Sequence, residues 1–473
     1  MSLNRKLAHN TLYQFIGKAI GTILALFATT QLLRYLGPVQ YGKFHIILTF
    51  VQITGIIADM GLYLIVLNDI SQPKFNHHNI ISQNLIFRFY LNLIYLAGMG
   101  LLALVAPYEL AIKLGIFLMS FSNVFIWFGQ IYQTVFQKKM NTQYIALAEI
   151  IGRGALVAST AAMIYWRVSI VPLALTVVIG NFVSFLLSWY FVRRYVEFSW
   201  HIDWRYIKTV LSRTWPVAMS IWFSLLYFKA DTIILSLFKS DYEVGIYGMP
   251  YRILETLVTL PLVFMSLIMP LTSRAYCRGH KRRFKRYMQK GFDALSIMAI
   301  PLLFGALPLA RSIVLLLAGD EFIESAPLLQ ILMISVLIMY VGALFGHAVI
   351  SIQAQKAMIK YYAFIALLML ALFFILIPRY SYWAAAWLTV AGEMLVLLAT
   401  FFVVYQKTRF FPQMGVFVKS TISAIIMATA LYPFRDLTIF LTIPLAIGFY
   451  GGMMYLIGGV RKEFVLEVLG LKG

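Results

Sequence analysis

Two short stretches of the chain match each other and indicate how the whole sequence is arranged. Residues Leu33–Phe44 read LRYLGPVQYGKF, and residues Ser236–Tyr247 read SLFKSDYEVGIY. Each stretch follows a long apolar run, forms a short polar turn and opens the next apolar run. The glycines near their ends, Gly42 and Gly245, are offset by 203 residues (245 minus 42). The match predicts that the chain contains an internal duplication.

The composition predicts a protein that lies mostly within a membrane. Of its 473 residues, 61% are hydrophobic and only 12% are charged, whereas soluble domains carry about 25% charged residues. A soluble enzyme, a disordered chain and a secreted disulfide scaffold are therefore excluded. The single cysteine, Cys277, excludes an internal disulfide. The chain also lacks the G-x-x-x-x-G-K-[ST] pattern of ATP-hydrolysing proteins.

Apolar runs of about 20 residues, the length that crosses a bilayer, divide the chain into about fourteen transmembrane helices. The predicted spans are 11–33, 44–66, 80–106, 110–136, 142–165, 169–192, 214–238, 244–270, 291–317, 325–352, 357–377, 381–405, 415–432 and 437–459. The fold class is thus all-α and polytopic. An even number of spans puts both termini on one side, and the distribution of Lys and Arg makes that side cytoplasmic. The net charge of +21 is then a topology signal, and we expect no nucleic-acid partner.

The internal duplication predicts four parts. Residues 1–195 form an N-terminal six-helix bundle and residues 214–405 a C-terminal six-helix bundle. Residues 406–473 add a peripheral helix pair and a short cytoplasmic tail. Residues 196–213 connect the bundles, and within them Trp200, Trp204, Ile207 and Leu211 share one face of a predicted amphipathic helix at the cytoplasmic interface.

Four motifs resemble those of a known family. They are LRYLGPVQYGKF (Leu33–Phe44), DMGLYL (Asp59–Leu64), FKADTIILSLFKSDYEVGIYGMPYRI (Phe228–Ile253) and LLLAGDEFIESAPLLQIL (Leu315–Leu332). The chain is similar to the polysaccharide, or O-antigen repeat-unit, flippases of the multidrug/oligosaccharidyl-lipid/polysaccharide exporter superfamily, which includes the MATE-like transporters. The resemblance runs along most of the chain.

The resemblance implies a MATE-like fold in which two six-helix repeats surround a central cavity and work by alternating access. The implied cargo is a polyprenyl-pyrophosphate-linked oligosaccharide, flipped from the cytoplasmic to the outer leaflet of the bacterial inner membrane. No covalent bond of the cargo is broken, so no enzyme activity, cofactor or metal is expected. A proton or sodium gradient and the polysaccharide polymerase machinery are further expected partners.

Polar residues recur at helical spacing along each of the first six spans, which is typical of a hydrated cavity wall. Cations within these spans and span 8 are candidates for binding the pyrophosphate, because the planar guanidinium of arginine donates two hydrogen bonds to phosphate together. The candidates are Lys18, Arg88, Arg153 and Arg252.

Each of these cations has a simpler interpretation as the partner of a carboxylate. Arg153 lies four residues after Glu149, and Arg252 lies three residues before Glu255, spacings that favour pairs within one helix. Carboxylates inside the membrane are in turn candidates for ion coupling. These candidates are Asp59, Asp231, Glu255 and Glu393, and structural pairing is the alternative for each.

Three other functions fit parts of the sequence. A MATE-like drug or cation antiporter would share the superfamily, but the six cations within the spans disfavour a site for cations. A polytopic polymerase or ligase is disfavoured because all predicted extracytoplasmic loops are short. A flippase for a lipid-linked peptidoglycan precursor would share the fold and the number of spans.

Overall fold

A computed structural model describes residues 3–59, 61–71, 77–196, 203–434 and 438–459. Within these ranges all regular elements are helices. Two are short 3₁₀ turns at Asp320–Phe322 and Tyr432–Phe434. The α-helices are α1 (Leu3–Asp59), α2 (Leu62–Ser71), α3 (His77–Val105), α4 (Leu110–Lys138), α5 (Gln143–Tyr165), α6 (Ile170–Val192), α7 (Trp204–Phe238), α8 (Asp241–Cys277), α9 (Lys281–Ala318), α10 (Ser325–Ser351), α11 (Gln355–Thr408), α12 (Gly415–Leu431) and α13 (Ile439–Leu456).

The described helices confirm an all-α polytopic fold. Eleven helical segments are long and apolar enough to cross a membrane. Gln355–Thr408 contains two predicted spans and Ile16–Gly55 covers parts of two others, and the described part of α7, which carries the predicted span 214–238, is not among the eleven. The total of fourteen spans therefore stays a prediction.

At two predicted turns between spans, a single non-helical residue separates two helical segments. In α1 the bend lies at Gly37, whose φ of 64° is accessible to glycine, followed by Pro38, which has no backbone N–H to donate. In α11 the bend lies at Ser381, with φ 53°. Each of α1 and α11 therefore consists of two helical segments, one on either side of the predicted turn.

The two glycines of the predicted duplication pack against each other. A Cβ added to Gly42 would collide with the carbonyl oxygen of Asp241, and one added to Gly245 would collide with the carbonyl oxygen of Pro38. The backbone of α1 thus touches the first turn of α8 with no side chain between them. The matching positions in the two sequence stretches are the positions that meet.

The chain divides into two compact units, Met1–Gly245 and Ile246–Gly473. In the first unit α4, α5 and α6 pack on one another, and α1 packs against α4, α5 and α7. In the second unit α10 packs between α9 and α11, while α12 packs on α9 and α13. The sequence-based boundaries 1–195, 196–213, 214–405 and 406–473 stay predictions.

The predicted amphipathic helix lies partly at the start of α7. Its first anchor, Trp200, lies outside the described residues, as does the predicted cytoplasmic tail after residue 459. The Asp203 carboxylate caps α7 by accepting from the backbone N–H groups of Arg205 and Tyr206. Ile207 is buried against apolar residues of α2 and α3, whereas Trp204 on the same predicted face is 67% exposed, so protein covers only part of this face.

Candidate functional site

A cavity of about 210 Å³ lies inside the first unit, among α1, α4, α5 and α6. Its lining is unusual for a membrane-embedded space because it combines three charged residues with amide and hydroxyl side chains. The lining residues are Lys18, Phe125, Ile126, Gly129, Gln130, Gln133, Ile145, Glu149, Gly152, Arg153, Leu156, Val177, Gly180, Asn181, Ser184 and Phe185.

Helical periodicity places these polar groups on the cavity wall. Glu149 and Arg153 are four residues apart on α5, so both project from one face. On α6, Asn181 and Ser184 are three residues apart and line the same cavity. Lys18 comes from α1. Polar positions on four separate predicted spans therefore meet around a single space.

Glu149 pairs with a residue on another helix. Its carboxylate accepts from Lys18 of α1, with Lys18 Nζ and Glu149 Oε1 3.4 Å apart. The two side chains are 45% and 25% exposed, and such solvated pairs contribute only about 0–1 kcal/mol. Among the described residues, Glu149 pairs with Lys18 across the helix interface rather than with Arg153, the alternative partner that spacing on α5 suggests.

Arg153 has no ion-pair partner within the part of the chain that the structure describes. It is half-buried on the cavity wall. The lining contains two cations, Lys18 and Arg153, and one anion, Glu149, so the formal charge of the cavity is +1. Such a cavity can attract an anionic ligand, and the guanidinium of Arg153 is available to donate hydrogen bonds to that ligand.

Two glycines bring α5 and α6 into backbone contact beside this cavity. A Cβ on Gly152 would lie 2.8 Å from the carbonyl oxygen of Gly180, and a Cβ on Gly180 would lie 3.0 Å from that of Gly152. Gly129 on α4 differs, because a Cβ there would meet no atom within 4 Å. The cavity is thus bounded by a tight helix crossing on one side and is open at Gly129 on another.

Arg88 and Asp59 form a second charged feature in the same unit. Arg88 Nη2 lies 2.5 Å from Asp59 Oδ1, and the Arg88 side chain is completely buried. The guanidinium also lies over the ring of Trp127, 5.7 Å from its centroid, within the range of a cation–π contact. Two residues with separate predicted roles, pyrophosphate binding and ion coupling, are therefore partners of each other.

The aromatic residues near Arg88 pack among themselves. The Tyr95 ring meets Trp127 edge-on at 4.8 Å, and the Asn123 side chain donates to the Tyr95 hydroxyl at 2.8 Å. Trp127 and Tyr95 are both buried. The aromatic rings that line the cavity are Phe125 and Phe185, which sequence reasoning missed because phenylalanine is common throughout the chain.

The remaining candidate residues lie outside the lining of this cavity. Arg252 donates to Glu255 on the same helix at 2.8 Å, the spacing-based pair expected from the sequence. Asp231 of α7 is buried, and its carboxylate accepts from the backbone N–H of Thr232 at 2.6 Å. Glu393 of α11 is 9% exposed and lies one helical turn after Thr389, a residue that is hydrogen-bonded to Tyr247.

Comparisons with known proteins give a consistent result. The family model described as "Polysaccharide biosynthesis protein" matches residues 7–276, more than half of the chain. The MatE model matches residues 216–377. The chain is 21% identical over 338 residues to "Putative O-antigen transporter" of Shigella flexneri, covering 69% of this chain and 80% of that protein. It is 24% identical over 362 residues to "Lipopolysaccharide biosynthesis protein WzxC" of Escherichia coli (strain K12), covering 72% and 69%.

Solved structures show the fold. The structure of "Lipid II flippase MurJ, inward closed conformation" is similar with a TM-score of 0.76 at 14% identity, covering 95% of this chain and 98% of that chain. An inward-facing MATE family transporter of the MOP superfamily is similar with a TM-score of 0.66 at 15% identity, covering 84% and 98%. These likenesses confirm the predicted MATE-like fold; at such low identity they concern the fold alone.

Proposed function

Because the chain belongs to the polysaccharide biosynthesis protein family, we propose that it flips polyprenyl-pyrophosphate-linked oligosaccharides across the bacterial cytoplasmic membrane. The cargo moves from the cytoplasmic to the outer leaflet, where it serves synthesis of a surface polysaccharide. The observation that carries this proposal is the cationic cavity of the first unit, whose Arg153 has no ion-pair partner among the described residues. No covalent step is involved.

Lys18 and Arg153 are the cations that bind the pyrophosphate in this proposal. The planar guanidinium of Arg153 donates hydrogen bonds to two phosphate oxygens. Lys18 gives up its 3.4 Å contact with the Glu149 carboxylate and binds a phosphate oxygen instead. That exchange is inexpensive because the exposed pair contributes at most about 1 kcal/mol.

Arg88 and Arg252 bind the cargo only in states in which their carboxylates have released them. Asp59 holds Arg88 and Glu255 holds Arg252. Protonation of either carboxylate removes its charge and weakens its contact with the arginine, which would couple a proton gradient to cargo binding. Asp231 and Glu393 are further candidates for this coupling, and a sodium ion is the alternative to the proton.

The chain lies in the cytoplasmic membrane with both termini in the cytoplasm in this proposal. The basic segment RGHKRRFKRY (Arg278–Tyr287) supports that orientation through the positive-inside rule. The polysaccharide polymerase machinery, which would use the flipped cargo, is the expected protein partner.

Two alternatives differ in how they fit the cavity. A cation antiporter needs an acidic site, whereas this cavity carries one more cation than anions. A lipid-linked peptidoglycan precursor carries the same pyrophosphate group, so the charge of the cavity fits it equally well. The relatives named for O-antigen transport and lipopolysaccharide biosynthesis favour the polysaccharide precursor.

The test is lipid-linked oligosaccharide flipping by purified protein in proteoliposomes, read by accessibility of the glycan in each leaflet. We expect Arg153→Gln to slow flipping about 10- to 100-fold, the effect of losing a charge-assisted contact of about 1.5–3 kcal/mol. The matched control is Arg379→Gln, which removes an exposed arginine of α11 outside the cavity. Unchanged flipping by the Arg153 variant, or efflux of organic cations without flipping, would refute the proposal.

A further inference from the structure

A groove of about 320 Å³ lies within the second unit, between the last part of α9, the start of α10 and the 3₁₀ turn after α12. The residues that line it include Leu307, Arg311, Ser312, Pro327, Gln330 and Tyr432. Leu307, Arg311 and Tyr432 are exposed, so the groove opens at the surface of the helices. Its volume exceeds the ~300 Å³ lower bound of small-molecule sites.

The groove lies over a fixed contact between α9 and α10. The side-chain amide of Gln330 donates to the backbone carbonyl oxygen of Leu307 at 2.7 Å, which ties the two helices together at this level. Pro327 in the first turn of α10 and Ala326 beside it carry small side chains that leave the space above this contact unfilled. The groove is therefore bounded by helix positions that are held in place.

Arg311 is the one charged residue among the described residues that line the groove. It lies within the predicted span 291–317 and seven residues (318 minus 311) before the end of α9, about 10 Å at 1.5 Å per residue. A charge at this depth is costly unless it finds a partner. Arg252 of the same unit has one, since it donates to Glu255 at 2.8 Å. Arg311 forms no ion pair with any described residue, so its surroundings indicate an anionic partner from outside the protein.

The acidic residues nearest to Arg311 along the chain do not neutralise it. Asp320, Glu321 and Glu324 lie in the turn that follows α9, and all three are exposed. None of their carboxylates lies within ion-pair distance of Arg311. Three negative charges at the end of the helix repel a free anion that approaches from water. They therefore favour an anion that reaches the groove from within the membrane.

An anionic phospholipid meets these requirements. Its phosphodiester carries one negative charge, which matches the single arginine, and a planar guanidinium donates two hydrogen bonds to phosphate oxygens. The exposed Leu307 side chain offers an apolar surface to the glycerol and acyl chains, and Tyr432 is an aromatic residue of the kind that is enriched at headgroup level. The pyrophosphate of the proposed cargo carries more negative charge than one arginine neutralises.

We propose that this groove, the Arg311 groove, binds the phosphodiester of an anionic phospholipid such as phosphatidylglycerol. The proposed orientation with cytoplasmic termini places that lipid in the outer leaflet. The site itself does not depend on the flippase proposal, because it lies in the second unit and shares no residue with the cavity of the first. A lipid bound there contacts α9, α10 and the turn after α12 together.

The test measures phosphatidylglycerol binding to the purified full chain in a neutral detergent by native mass spectrometry. We expect Arg311→Gln to weaken binding about tenfold, the effect of losing a charge-assisted hydrogen bond. Arg311→Lys, which keeps the charge, should retain part of the affinity. The matched control is Arg379→Gln, since Arg379 is also exposed and lies outside the groove. It should bind the lipid as wild type does.

A second variant tests the groove without changing its charge. Leu307→Trp enlarges an exposed side chain of the lining, so it should occupy part of the space and weaken binding about three- to tenfold. Leu367→Trp on α11 enlarges a side chain that is also exposed and lies outside the lining, and it serves as the control. Thermal unfolding of each variant in lipid-free detergent verifies the fold.

Competition identifies the source of the phosphate group. Inorganic phosphate and polyprenyl pyrophosphate are each added to the protein with bound phosphatidylglycerol, and we expect neither to displace it at equal concentration. Displacement by inorganic phosphate would show a site for free anions, and displacement by polyprenyl pyrophosphate would show a site for the cargo; either result overturns the proposal.

The variants decide whether the groove binds lipid at all. Loss of phosphatidylglycerol in both Arg311→Gln and Leu307→Trp, with both controls unchanged, supports the inference. Equal binding by wild type and Arg311→Gln would show that the arginine merely extends its side chain to the headgroup layer, and the proposal would be refuted.

Discussion

Arg88 of α3 and Asp59, the last residue of α1, form an ion pair with 2.5 Å between Nη2 and Oδ1, and the Arg88 side chain is completely buried. Removing one partner of a buried pair leaves an uncompensated charge, which costs about 3–5 kcal/mol. The pair therefore fixes the end of α1 against α3, and the first prediction concerns stability.

We expect Asp59→Asn to lower the free energy of unfolding by about 3–5 kcal/mol, because Arg88 remains charged and buried. Replacing both residues, with Asp59→Leu and Arg88→Met, should restore most of that loss, since the buried guanidinium is removed together with its carboxylate. Denaturant unfolding in detergent measures both. Glu109→Gln is the control: it removes the partner of Lys43 in a more exposed pair of 2.6 Å, and a loss above about 1 kcal/mol there would contradict the argument from burial.

The second prediction concerns the charge of the cavity. Glu149→Gln raises the formal charge of the lining from +1 to +2 and releases Lys18, so binding of sugar-free polyprenyl pyrophosphate should strengthen about three- to tenfold. Lys18→Gln should weaken it by a similar factor. Both effects should shrink as salt is raised, because salt screens exposed charges. Equal affinities in the two variants would exclude Lys18 and Glu149 from pyrophosphate binding.

The third prediction concerns the glycine contact between the two matching stretches. Gly42→Ala and Gly245→Ala each introduce a Cβ that collides with a backbone carbonyl, so we expect a loss of about 1–3 kcal/mol from overpacking. Gly98→Ala in α3 meets no atom within 4 Å. This control should be neutral or slightly stabilising, because alanine favours helix over glycine. A neutral result for Gly42→Ala would contradict the close approach of α1 and α8.

The fourth prediction concerns ion coupling through Glu393. This carboxylate is buried within α11, and burying a charge is costly. Glu393→Gln should leave the free energy of unfolding unchanged or raise it, while flipping in proteoliposomes becomes insensitive to an imposed pH gradient. Glu321→Gln, an exposed carboxylate in the short turn after α9, is the control. A gradient response that survives in the Glu393 variant would remove this residue from the coupling proposal.

Much of the architecture follows from hydropathy, because a bilayer requires apolar helices of a minimum length. The bends at Gly37 and Ser381 were predicted only as turns. The sequence pattern does not show that a single non-helical residue, Gly37 or Ser381, makes each turn.

Within the candidate site, helical spacing predicts that Lys18, Glu149 and Arg153 face a cavity, and all three line the same one; their role in binding stays a prediction. The partner of each charge depends on contacts between helices. Spacing on α5 favours Glu149 with Arg153, whereas Lys18 of α1 forms the observed contact.

The sequence by itself determined that this protein is a bundle of apolar helices, that its two halves share a motif and that cations lie inside its membrane spans. These properties depend on local composition and period, which each segment carries independently of the others. Only the tertiary structure decided that Gly42 meets Gly245, that Asp59 pairs with Arg88 and that Glu149 pairs with Lys18 rather than with Arg153. Those contacts arise where segments that are distant in sequence pack together. The spacing of residues along the chain does not reveal the distances between such segments.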